Sequence, residues 1–118
     1  EATAEKRTLF KILQGKVSSI VGTHTHIGTD DLEITEGTSY VSDIGLTGCR
    51  DNVIGMDSKV PIKKALTGLG GHFEIPNSCK SILQIIVVET SEDGKAIESY
   101  KVKIYSDQDR VVSKAIIN

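Results

Sequence analysis

An excess of basic residues, a long apolar run and a paired-cysteine motif are all missing from this 118-residue chain. Its 14 Lys and Arg are dispersed among 16 Asp and Glu, leaving a net charge of −2. No basic stripe tracks a phosphate backbone, so a module dedicated to stable nucleic-acid binding is not expected. No apolar stretch approaches the ~18 residues of a membrane-spanning helix. No secretory-signal pattern is read either, and the expectation is a cytoplasmic protein without membrane partners. Cys49 and Cys79 stand thirty residues apart with no CxxC pair. One possible disulfide is weak grounds for secretion, and both are read as reduced thiols. Repeats, low-complexity segments and linkers are also lacking. What is there is 38% hydrophobic and 25% charged, the composition of a globular domain large enough for a real core.

One mixed α/β unit over 1–118 is expected. Residues 3 to 14 read as a helix with Thr3 as N-cap, Gly15 as its stop, and an apolar stripe of Leu9, Ile12 and Leu13. Val17 to Val21 is short and β-branched, as in a buried strand. Leu32-Glu33-Ile34 is a short segment in a polar loop, and Thr38 to Ile44 reads as a second strand centred on Tyr40 and Val41. Gly45 to Asn52 is a loop. Pro61 suits the first turn of a helix running to about Leu69, with Ile62, Ala65, Leu66 and Leu69 on one face. Residues 81 to 105 predict an antiparallel hairpin around the Asp93-Gly94 turn, with Tyr100, Val102 and Ile104 alternating with Lys101 and Lys103.

The feature that carries chemistry is Gly22-Thr23-His24-Thr25-His26, directly after the first strand. In extended backbone residues i and i+2 share a face, so both imidazoles can aim at one place, and imidazole is the commonest metal ligand. The flanking Thr23 and Thr25 could orient the rings. Two imidazoles undersupply a metal, so other donors must complete the shell. Asp30 and Asp31 are candidate oxygen ligands or a solvated acidic turn. Asp43 orients the neighbouring loop or approaches the site. Gly45 and Gly48 permit close backbone approach by a phosphate, or simply make a turn. Arg50 is a candidate anion contact or an exposed side chain. His72 has no partner in sequence, and nothing marks Cys49 as a nucleophile. No catalytic residue is identified.

In order and spacing, Gly22 to His26, Thr29 with Asp31, Gly37 to Gly48, and Val53-Ile54-Gly55-Met56-Asp57 resemble the C-terminal half of YmdB-like bacterial metallophosphoesterases, in the calcineurin-like superfamily. Ile44, Leu46 and Gly28 depart conservatively from the usual residues. The resemblance implies an α-β-β-α sandwich, here its C-terminal half ending in a β-hairpin. It also implies hydrolysis of phosphoesters such as 2′,3′-cyclic nucleotides. Two divalent ions (manganese, iron or zinc) would sit at the strand ends, one on His24 and one on His26, with the Gly45–Gly48 loop bordering the substrate. The family's remaining ligands lie upstream of Glu1. The expectation is therefore a piece of a larger enzyme, inactive by itself, joined to a missing N-terminal half or forming a homo-oligomer. The alternatives are a non-catalytic metal- or partner-binding module and a purely structural unit.

Overall fold

A computed structural model describes residues 2–118 as two four-stranded sheets and two helices, a mixed α/β architecture. Helix α1 spans Thr3–Leu13; Ala2, in extended backbone, takes the cap position expected of Thr3 and supplies no side-chain bond. The helix stops as expected, with Gln14 N–H on Phe10 O and Gly15 at φ +79°.

The buried face of α1 corrects the expected stripe. Leu9 and Ile12 are 48% and 58% exposed, whereas Phe10 is fully buried. Lys6, Arg7, Leu13 and Gln14, which share the Phe10 face, are half-buried. The cause is a ring pair: Phe10 stacks on Tyr40 with centroids 4.5 Å apart and planes 8° from parallel. Arg7 sits 4.9 Å over the Phe10 ring while donating to Glu33 at 2.7 and 3.3 Å. An aromatic pair removes more surface from water than the aliphatic stripe offers, and it adds its own attraction.

The first sheet runs β1–β3–β2–β8, from β1 (Ser19–Val21), β2 (Glu33–Thr35), β3 (Thr38–Val41) and β8 (Ile116–Ile117). β2 and β3 form a hairpin through Glu36-Gly37, both at positive φ, the geometry of a type I′ turn. β1 and β3 are parallel, so both end at the same sheet edge. Every residue of β3 is buried.

The second sheet is antiparallel, in the order β4–β5–β6–β7, from β4 (Gly48–Cys49), β5 (Ser81–Thr90), β6 (Ala96–Tyr105) and β7 (Val111–Lys114). Its long hairpin occupies the span expected, and Gly94 in the turn adopts φ +84°. Which face points inward differs from the expected alternation. Ser99 and Lys101 are 2% and 4% exposed, while Ile104 is 40% exposed. Ser99 meets Ser39 of β3 through their hydroxyls at 2.9 Å, and Lys101 Nζ donates to Thr29 O at 3.4 Å. The polar face of β6 thus packs on the first sheet, Ser99 accepting from Ser39 and Lys101 donating to a loop of that sheet.

Between β4 and β5 the chain makes an excursion holding a tight turn, Val53–Met56, and α2 (Lys59–Thr67). No residue of α2 is buried. Pro61 and Ala65 line an apolar cavity of about 370 Å³ with Val53, Met56 and Phe73, while Ile62, Leu66 and Leu69 face solvent. The reading of reduced thiols is corrected: Cys49 and Cys79 form a disulfide, their Cα atoms 5.5 Å apart. Pairing of Cys49 with Ser81 brings Cys79 within bridging range, a proximity created by strand pairing and invisible in a spacing of 30. No helix among the described residues is long and apolar enough to cross a membrane.

Candidate functional site

The loops leaving the parallel ends of β1 and β3 lie side by side, at the carboxyl edge where α/β sheets place their sites. Gly22 N–H bonds Val41 O, and Gly22 O accepts from Ile44 N–H, both at 2.9 Å. A Cβ on Gly22 would collide with the Ser42 carbonyl, so only glycine lets these strand ends approach so closely.

From that junction the chain turns through His24 and His26 at φ +122° and +66°. Extended backbone, the premise for both imidazoles sharing a face, is therefore replaced by a bent loop. Left-handed values are uncommon outside glycine and are held only when surrounding bonds over-determine them. The bonds come from Asp43, 1% exposed. Its Oδ2 accepts Thr25 N–H at 2.7 Å and Thr25 Oγ1–H at 2.8 Å, and its Oδ1 accepts Gly45 N–H at 2.9 Å. Lys6 Nζ stands 3.8 Å from Oδ2 and donates to Thr23 O at 2.6 Å. Burial raises the Asp43 carboxyl, but the bonds from Gly45 and Thr25 and the Lys6 charge outweigh it and hold the group below its ordinary value. Asp43 orients the histidine loop. Thr25 spends its hydroxyl on Asp43, not on an imidazole.

His26 is gripped from the excursion. Its Nδ1 lies 2.8 Å from Ile54 O. A carbonyl only accepts, so Nδ1 is the donor, and in the neutral imidazole Nε2 is then the nitrogen with a lone pair for a ligand. Ile54 and Gly55 reach φ +45° and +93°, which turns that carbonyl toward the ring. Sequence reading missed this partner because a backbone carbonyl has no residue-type signature.

The remaining candidates separate. Asp31 turns inward, accepting Thr29 Oγ1–H at 2.6 Å and Ser42 N–H at 3.1 Å. Burial raises its carboxyl, but these bonds outweigh that effect and hold it below its ordinary value. Asp30 is exposed, as are His24 and His72. Gly45, at φ +90°, lies tight against the Gln84 side chain, and Gly48 falls inside β4. Arg50 donates from Nη2 to both Asp107 oxygens, at 2.8 and 2.9 Å. No group of three or more His, Cys, Asp and Glu side chains poised for a metal exists among the described residues.

A pocket of about 270 Å³ opens beside His26, lined also by Leu46, Arg50, Gln84, Lys103 and Tyr105. Lys101, Lys103 and Tyr105 alternate along one face of β6, a signal visible in sequence once that face is known to point inward.

A model of the YmdB-like protein family matches residues 1–102. A 2′,3′-cyclic-nucleotide 2′-phosphodiesterase of Bacillus subtilis is 34% identical over 108 residues, covering 91% of this chain and 41% of that protein. The crystal structure of a phosphatase from Mycoplasma pneumoniae superposes with a TM-score of 0.82 at 32% identity, covering 89% of this chain and 38% of that one. A Thermus thermophilus structure gives 0.75 at 28% identity, covering 98% and 42%. The chain spans about two fifths of the length of the curated relatives it matches. With a match over most of its length and this fold, the chain belongs to the YmdB-like protein family.

Proposed function

We infer that this chain forms part of a metal-dependent phosphodiesterase or phosphatase acting on phosphoesters of the 2′,3′-cyclic-nucleotide kind. The reading is supported by the relative's named activity and carried by one observation, the Ile54 carbonyl fixing the His26 tautomer. Metal-ligating histidines usually donate their other N–H in this way. The donor chemistry fits divalent manganese, iron or zinc, with His24 and His26 each holding one ion. Two imidazoles are too few for a dinuclear centre, so the remaining donors come from elsewhere in the protein.

Bound divalent ions would lower the pKa of water and stabilise charge at phosphorus. This chain's own part is positional. Asp43 clamps the loop between the histidines, Lys6 offsets its charge, and Ile54 keeps the Nε2 lone pair of His26 available. Gly45 to Gly48 borders the space beside them. Exact placement matters because a small misplacement of a reacting group costs orders of magnitude in rate.

The test is hydrolysis of a chromogenic phosphodiester by the full-length protein, with metal content measured on the same samples. His24→Ala and His26→Ala should each cost activity at least about 10–100-fold, the range seen for residues that only orient ligands, and lower the bound metal. Full activity in either variant overturns the assignment.

A further inference from the structure

The pocket beside His26 is lined by two cationic side chains, Lys103 and Arg50. Lys103 makes no ion pair among the described residues, and neither does buried Lys101 on the same face of β6. Burial lowers the Lys101 ammonium and the neighbouring Lys103 charge lowers it further, more than Asp43, Asp30 and Asp31 raise it. Two ammonium groups thus face one another's field. Arg50 also lines the pocket, its guanidinium 5.3 Å from the Tyr105 ring centre. Asp107 occupies Nη2, while the Arg50 Nε is buried without a partner. A buried donor left open is costly, and a ligand oxygen would satisfy it. The pocket is therefore built for an anion.

Its position decides which anion. His26 belongs to the proposed metal site, yet also lines this pocket, so a group seated here is contiguous with the reacting phosphoester. About 270 Å³ is small for a whole ligand and suits one part of it. We propose that the pocket receives a second, non-reacting phosphate of the substrate, held by Lys103 and Arg50. The enzyme then favours a nucleoside cyclic phosphate that ends in a 5′-phosphate over one that ends in a 5′-hydroxyl. This rests on the phosphoesterase reading of His26 and adds a specificity determinant to it.

The experiment compares adenosine 2′,3′-cyclic phosphate with and without a 5′-phosphate on the metal-loaded, full-length protein. The 5′-phosphorylated substrate should show a KM about tenfold lower, as one charge-assisted contact provides. Lys103→Gln should erase that advantage and leave kcat and KM for the 5′-hydroxyl substrate unchanged. Asp107→Asn, which frees Arg50 and the nearby Lys80, should lower the KM of the phosphorylated substrate further. Calorimetric binding of adenosine 5′-monophosphate against adenosine, on wild type and Lys103→Gln, reads the pocket without turnover. If neither cyclic phosphate is hydrolysed but the nucleotide still binds in a Lys103-dependent way, the phosphoesterase reading fails and the anion pocket stands. No preference in wild type, or a preference untouched by both substitutions, overturns the proposal.

Discussion

Asp43 concentrates more of the site's order than either histidine. One buried carboxylate accepts from Thr25 N–H, Thr25 Oγ1–H and Gly45 N–H, and so ties the loops after β1 and β3 together. Replacing it with Asn removes the charge and one of its acceptors, leaving a buried donor unsatisfied. Asp43→Asn should cost about 1–3 kcal/mol at neutral pH, read by urea denaturation. The pH dependence has a definite sign. The folded carboxyl is held below its ordinary value, so its stabilisation is fully present above the unfolded value of about 3.9. It is lost as pH falls from there through the depressed folded value. The gap between wild type and Asp43→Asn should stay constant from pH 5 to 8 and shrink below about pH 4. A gap that survives into strong acid would show that the clamp does not depend on ionisation.

Among the elements, α1 turns on a single ring. Phe10 is its one buried residue and stacks on Tyr40, so Phe10→Ala should destabilise by about 3–5 kcal/mol. Leu9 and Ile12 are exposed in this chain, and Leu9→Ser in the same 118-residue chain should change stability by no more than about 0.5 kcal/mol. Thermal melts of the two variants decide between the faces: a larger loss from Leu9→Ser would restore the aliphatic stripe. The same logic applies to β6, where hydroxyl and ammonium groups meet the first sheet while Tyr100, Val102 and Ile104 occupy the outer face. Val102 pairs there with Val112, which is 52% exposed. The second sheet therefore turns an apolar face outward.

As a whole, the molecule is a slab of 53 × 32 × 18 Å with a radius of gyration of 17.0 Å. A compact domain of this length would measure about 13–14 Å. Among the described residues seven hydrophobic side chains are buried, and Leu66, Leu69, Ile75, Ile116 and Ile117 are each 65–80% exposed. Apolar area of this kind, beside a sheet with open edges, drives association. The 118-residue chain in isolation should self-associate, seen by sedimentation as a mass above 12.7 kDa that rises with concentration. It should also hydrolyse phosphodiesters negligibly beside the full-length protein, because no group of three donors exists among its described residues. A concentration-independent monomer, or comparable turnover, would contradict this.

Local signals made much of this readable in advance. The hairpin of β5 and β6 was legible from alternation and an Asp-Gly turn, both properties of neighbouring residues. The location of the histidine loop was legible because a β-branched run ending in glycine terminates a strand wherever it occurs. The family was legible because its motifs recur in order. Periodicity, however, says only which residues share a face; which face meets the rest of the protein depends on partners far along the chain. Phe10 was chosen by Tyr40, Lys101 by Thr29, the disulfide by the pairing of Cys49 with Ser81, and the His26 tautomer by a carbonyl on a separate turn. Each of these selections spans at least 28 residues, a distance at which contact energies exist only after the chain has folded.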